Sequence, residues 1–265
     1  MKKVILEFCV TVLFFFALWF GLAQINWVNI FKIEEVSEKT EETLGELTWE
    51  IFSDSEYENT NEFITKTVDS LVTHIVNKNN INRREIKLHI VDSDEVNAFA
   101  LPDGHLIINS QLIIQAENQE ELAGVIAHEL AHIELNHISE KLAKEIGLTV
   151  VISAVTGNNN QAITKIVKTL TSTAFDRKNE EEADLTAVIY LENANINPVP
   201  FSKFLNKLAT EEVDDTYPTW LSTHPNSEYR AKSVIKAMNK SKTNYSEVIS
   251  KKTMDKLQEK LIDSN

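Results

Sequence analysis

The sequence predicts an α+β chain, mainly helical, with a small β-hairpin sheet beside one central helix and a single N-terminal transmembrane helix ahead of them. Three observations carry that class. Apolar residues recur at helical spacing over most of the chain, residues 85–92 alternate with period two, and residues 8–31 hold 24 positions without a charge. Four parts follow in order: an anchor over 1–31, an acidic amphipathic stalk over 32–59, a main domain over 60–240 and a C-terminal helical extension over 241–265.

The anchor is read from its flanks as well as its length. Lys2 and Lys3 precede the apolar run, Glu34 and Glu35 follow it, and Trp19 and Trp27 suit the interfacial belt. That asymmetry puts the N-terminus in the cytoplasm and the rest outside it, as a single-pass protein of a cell membrane with its domain on the periplasmic side. A cleaved signal peptide ending near Gly21-Leu22-Ala23 is the competing reading, and the length of the run favours a retained anchor. Cys9, within that run, is the only cysteine, so the domain has no internal disulfide and no thiolate ligand. A net charge of −14 argues against nucleic-acid binding. Much of that charge lies between Glu34 and Glu62, where 11 acidic residues face one lysine. Val36, Leu44, Leu47 and Ile51 at near-helical spacing make this stretch an amphipathic helix with a solvated acidic face.

Next, Ile64, Val68, Leu71 and Ile75 place a helix over 63–76. Residues 85–92, 97–101 and 105–109 read as strands, the last two joined by a Pro102-Asp103-Gly104 turn. A strand from Asn97 to Leu101 at the sheet edge is a candidate for binding an extended peptide by strand addition. Asn118 and Glu121 read as the cap and capping-box partner of the central helix, whose apolar stripe is Leu122, Val125, Ile126, Leu130 and Ile133. The apolar run 146–155 is too short to span a bilayer and is expected to be buried; contact with the membrane or a cover over a cleft are the alternatives. Later helices are expected over 180–192, 200–211, 227–240 and 246–262.

The central helix carries the chemistry. Its HELAH segment places His128, Glu129 and His132 in a His-Glu-x-x-His pattern, and residues four apart share one helix face, so both imidazoles can hold one metal ion. By composition such a pattern arises by chance in roughly 0.02 of such chains. A catalytic zinc site takes a third protein ligand, and Glu180 in the segment RKNEEEAD is the candidate. Asp184, one helical turn on, is expected to accept a hydrogen bond from the outer nitrogen of a ligand imidazole, that of His128. In the segment STHPNSEYR, His224 and Arg230 flank the start of a helix capped by Asn226. Either, or Tyr217, is a candidate oxyanion donor; alternatively His224 fills the open metal position and holds an enzyme inactive. His74, His89, His105 and His137 are taken as structural, with His137 well around the helix from His132.

These segments together resemble the membrane-associated zinc metallopeptidases of family M48, which include the CAAX prenyl proteases. NAFALPDGHLIINSQLII at 97–114, HELAH, Arg-x-x-Glu-x-x-Ala-Asp at 177–184 and His-Pro-x-x-x-x-Arg at 224–230 occur in the family's order, and the likeness covers 60–238. The resemblance implies a zincin-type (gluzincin-like) domain with one Zn2+ on His128, His132 and Glu180, Glu129 as general base, and protein or peptide substrates. By analogy alone it also suggests envelope protein quality control. Asp103 stands where a glycine is common, and Leu185 where a polar residue is usual. The rival from another class is a non-catalytic or latent, His224-capped module that binds proteins through the same fold.

Overall fold

The computed structural model describes residues 12, 15–16, 33–157, 159–210, 218–225, 227–238, 242 and 244–264. Nearly all of the expected anchor, together with Tyr217 and Asn226, lies outside them. Among the described residues no helix is long and apolar enough to cross a membrane. The chain divides into two units, Met1–Glu41 and Glu42–Asn265.

In chain order, helix α1 is Ile33–Ser53, strand β1 Tyr57–Glu58, α2 Glu62–Lys78, β2 Lys87–Asp92, β3 Ala98–Leu101 and β4 His105–Asn109. Helices α3 (Ser110–Gln115), α4 (Gln119–Glu134), α5 (His137–Glu145), α6 (Leu148–Thr156) and α7 (Asn160–Ser172) follow. The chain continues with α8 (Arg177–Asn193), α9 (Val199–Thr210), α10 (Pro218–Thr223), α11 (Ser227–Ala237) and α12 (Lys251–Ser264).

The sheet is larger and more mixed than a hairpin. Its order is β1-β2-β4-β3, with β2 and β4 parallel and both outer pairs antiparallel. The β3–β4 hairpin closes through Asp103 and Gly104, both with positive φ, 60° and 69°. A Cβ on Gly104 would stand 1.8 Å from the Glu85 carbonyl oxygen, so the turn needs glycine there. Every residue of β4 is buried because both sheet faces are covered. Leu106 and Ile108 join the core with α2, α4, α8 and α9, while Ile107 joins a second core with Leu44, Phe52, Leu142 and Ile166. Asn109 donates to the Asn97 carbonyl, so by antiparallel alternation Ala98 and Ala100 turn their backbone N–H and C=O to the outer edge.

Helix α4 is buried nearly all round rather than along one stripe. Asn118 caps it by accepting from the Glu121 N–H at 3.0 Å, and Glu121 accepts from the N–H of Glu117, one residue short of a standard capping box. Gly124 lets α9 approach, since a Cβ there would lie 2.4 Å from Phe201 Cβ.

Three stretches differ from the sequence reading. The acidic helix α1 is helical as expected, but from Glu42 onward it belongs to the compact domain, with Leu44, Thr48 and Phe52 buried. Within the expected C-terminal helical extension over 241–265, the described helix packs on the main core. Helix α12 seats Met254, Leu257 and Leu261 in the main core, and Gln258 donates to the carbonyls of Ile113, Ile114 and Ala116. The run 146–155 is not a buried helix: in α6 only Val151 and Ala154 are buried, while Leu148, Val150 and Ile152 are exposed. A run of apolar residues fixes no burial when the neighbouring helices cover one face alone.

Of the histidines taken as structural, His74 bonds the Ala194 carbonyl at 2.7 Å. His89 faces away from Ile90 as its alternation requires, and its Nδ1 meets Glu58 at 2.7 Å while its Nε2 meets His105 Nδ1 at 3.0 Å. The Trp49 ring stacks on His89 with centroids 3.5 Å apart.

Candidate metal centre

Two helices and the turn after α10 build the site. Helix α4 presents His128, Glu129 and His132, α8 presents Glu180 and Asp184, and the turn between α10 and α11 brings in His224. All are buried, with at most 1 % of any of them exposed. His128 Nε2 lies 3.0 Å from His132 Nε2 and 3.3 Å from His224 Nδ1. Glu180 Oε1 lies 3.5 Å from His132 Nε2 and 3.0 Å from His224 Nδ1, and Glu180 Oε2 is 3.8 Å from His128 Nε2. Ligand atoms of these four residues all fall within 4.8 Å of one another. Tetrahedral ligands about 2.1 Å from one ion stand about 3.4 Å apart, and the observed separations bracket that value. His224 is therefore a fourth member of the donor set.

The residues fit a metal ion on a second count. Both Glu129 carboxylate oxygens and His224 Nε2 are buried without a hydrogen-bond partner, and the 3.5 Å between Glu129 Oε1 and His224 Nε2 is too long for one. A buried carboxylate with neither oxygen satisfied is costly unless something else belongs there.

Outer contacts fix the rings. His128 Nδ1 lies 3.0 Å from Asp184 Oδ1, the geometry in which N–H donates outward and Nε2 keeps its lone pair. His132 Nδ1 meets His137 Nδ1 at 3.1 Å, a partner the sequence reading placed away from the site. The reason is Asn136, whose left-handed backbone (φ 58°) ends α4 and starts a new helix. A helical projection carried past that break puts His137 on the wrong side, and Asn at a helix end is the signal for the break. Three other residues have no sequence signal at all. Phe175 packs its ring 4.0 Å from His132, Trp220 stacks 4.2 Å from His224, and the buried Lys141 ammonium sits 4.1 Å over Phe175.

Arg230 is placed differently from an oxyanion donor. Its Nε and Nη2 donate to the two Asp184 oxygens at 2.7 and 2.8 Å, and its Nη1 lies 2.5 Å from Glu180 Oε2 and 3.1 Å from the His224 carbonyl. The guanidinium is thus engaged behind the donor set, tying α8 to the His224 turn. Glu181 and Glu182 sit outside the cluster, Glu181 accepting from Tyr229 and Glu182 lying 3.8 Å from His137.

Burial, then the neighbouring Glu180, hold Glu129 well above the usual carboxylate range. Burial would raise Glu180 too, but His224 and Arg230 outweigh it and bring it well below. Asp184 follows the same pattern, with Arg230 prevailing over burial. Burial pushes His132 well down and His224 to about 4, so neither imidazole carries a charge at neutral pH.

The pattern of Peptidase family M48 matches residues 63–238, two thirds of the chain and all of this site. The chain belongs to Peptidase family M48. Among curated relatives, the beta-barrel assembly-enhancing protease of Escherichia coli (strain K12) is 26 % identical over 181 residues, 63 % of this chain and 37 % of that protein. The same-named protein of Yersinia pestis is 26 % identical over 176 residues, 61 % of this chain and 36 % of its own length. The mitochondrial metalloendopeptidase OMA1 of Bos taurus is 28 % identical over 219 residues, 71 % and 42 % respectively. The chain spans about two fifths of the length of these relatives.

Proposed function

We propose that this chain is a membrane-anchored, zinc-dependent endopeptidase that hydrolyses peptide bonds of protein substrates. The observation that carries the reading is the convergence of His128, His132 and Glu180 beside a Glu129 carboxylate left without a hydrogen-bond partner. Two imidazoles and a carboxylate suit zinc, which when bound polarises a carbonyl and makes water acidic enough to attack it. Glu129 takes the proton of the attacking water and returns it to the leaving amine. Asp184 orients His128, and Arg230 acts as a positioning residue by fixing Asp184 and Glu180 together. The outer edge of β3, at Ala98 and Ala100, is the place for an extended substrate to add as a strand.

The uncharged run 8–31, with lysines before it and acids after it, supports the anchor and an extracytoplasmic domain. A role in envelope protein quality control rests on the relatives called beta-barrel assembly-enhancing proteases.

A second reading is favoured by one observation, the place of His224 in the donor set. With His224 Nδ1 as fourth ligand no position is left for water, and the peptidase is latent until the 218–225 segment moves. Metal analysis paired with cleavage of an unfolded protein separates the readings, using the native chain, Glu129→Gln and His224→Ala. One zinc per chain with cleavage lost in Glu129→Gln supports the peptidase. Cleavage that appears only in His224→Ala supports latency, and absence of both metal and cleavage from all three chains leaves a non-catalytic binding module.

A further inference from the structure

A groove of about 810 Å³ is lined by the start of β3 and by Ser222, two residues before His224. Glu56, Asp94 and Glu95 line it, none of its lining residues is basic, and none of these three carboxylates has a basic partner among the described residues. The C-terminus of α7 also lines it, through Thr171 and Ser172, with no basic residue in that last turn to offset the carbonyl end of the helix. Asn97 supplies the independent observation. It is 2 % exposed, it lines the groove, and its Oδ1 is a buried acceptor without a partner. Three carboxylates, a helix C-terminus and an unused amide oxygen ask for a cation that also donates hydrogen bonds. Phe99, on the groove floor beside Phe52, offers apolar surface for an alkyl stem.

We propose that this groove is a specificity subsite that takes a lysine or arginine side chain of the polypeptide substrate. The inference rests on the peptidase reading for what the subsite serves. A chain laid along the outer edge of β3 passes these carboxylates, and Ser222 links the groove to the turn that carries His224. The basic residue then falls at one fixed position relative to the cleaved bond, because an extended strand adds in a single register. Burial, followed by the charge of Glu95, already lifts the Glu56 carboxyl, as expected where like charges face one another unneutralised.

The test uses the full 265-residue chain. Fluorescein-labelled decapeptides in matched pairs, Lys against Gln at each position in turn, are bound to the zinc-loaded Glu129→Gln variant and read by anisotropy. The same pairs are offered to the native chain for cleavage. Lys should win at a single position by roughly tenfold, a few partly exposed ion pairs' worth, and less at high salt. Combined Glu56→Gln, Asp94→Asn and Glu95→Gln should erase the preference, and combined Glu56→Gln, Asp94→Asn and Glu95→Lys should turn it toward a Glu-bearing peptide, a reversal that misfolding cannot mimic. Equal binding of Lys and Gln peptides at every position, or a preference that survives neutralisation, overturns the subsite. Cleavage without any basic preference overturns it while leaving the peptidase standing. Lys-selective binding with no cleavage by the native chain or by His224→Ala supports the subsite and removes the peptidase.

Discussion

Replacing Arg230 by Met should cost the metal-free protein about 4 kcal/mol of stability. The side chain is 2 % exposed and makes two charge-assisted hydrogen bonds to Asp184, an ion pair with Glu180 and a bond to the His224 carbonyl. At about 1.5–3 kcal/mol for each charged contact a simple sum exceeds 5 kcal/mol, but such terms are not additive. Removing one member of a buried charge network costs about 3–5 kcal/mol, because the buried carboxylates left behind lose their cationic partner. Against a total of about 5–15 kcal/mol that is a large fraction. Met fills much of the same volume, so the loss measures charge rather than cavity. Arg230→Lys should recover less than half of it, since a single ammonium cannot span both Asp184 oxygens. Urea denaturation with chelator and with zinc reads the effect, and the loss should be smaller with zinc, where a dication shares Glu180. A metal-free loss under about 1 kcal/mol, or an equal loss with and without zinc, would refute the brace.

Three further outcomes follow from other contacts. Burial, then His89 and Lys87, push His105 down to about 4, with Glu58 and Asp103 the acidic groups facing the pair. The unfolded chain therefore binds more protons between about pH 6.5 and 4, so stability falls as pH drops through that window, by at most about 3 kcal/mol; His105→Phe should flatten the slope, and an unchanged slope in acid titrations of unfolding would count against it. His137→Ala removes the partner of His132 Nδ1 and should weaken zinc about 10–100-fold in chelator competition, whereas an unchanged affinity would make that contact incidental. Gly124→Ala drives a methyl into Phe201 and should cost about 1–3 kcal/mol in thermal unfolding, despite better helix propensity; a stabilised variant would mean α9 yields.

What the sequence made legible is what period and spacing encode. The helix over 62–78, the 98–109 hairpin and the cap at Asn118 follow from local rules, and the HELAH spacing puts two imidazoles on one face. Asp184 against His128 was readable because one helical turn separates it from Glu180 and ligand imidazoles need an outer acceptor. Long-range pairings were not readable. Nothing local states that β2 runs parallel to β4, that α12 closes the core, or that α6 leaves Leu148 and Ile152 in water. The same holds for Phe175 and Trp220, ordinary core aromatics until the fold sets them on His132 and His224. Arg230 lies beside the cluster with its guanidinium on Asp184 and Glu180, an orientation that a motif does not encode.

The charge balance of the site leads to one last expectation. Glu129, Glu180 and Asp184 are three buried carboxylates against the Arg230 guanidinium and the nearby buried Lys141 ammonium. Burial and the neighbouring Glu180 hold Glu129 well above the usual range, so the metal-free protein keeps that proton to a higher pH than an ordinary carboxyl would. A bound dication reverses the preference: it compensates an ionised Glu129, and the proton leaves. Zinc affinity of the native chain should therefore rise with pH more steeply than that of Glu129→Gln, by up to roughly a factor of ten per pH unit over the range in which the metal-free protein still holds that proton. The sign is fixed by the direction of the Glu129 shift, because a carboxyl of ordinary acidity would already be ionised and would release nothing. Chelator competition from pH 6 to 8 on both chains measures it, and two parallel pH slopes would mean that Glu129 is an anion before the metal arrives.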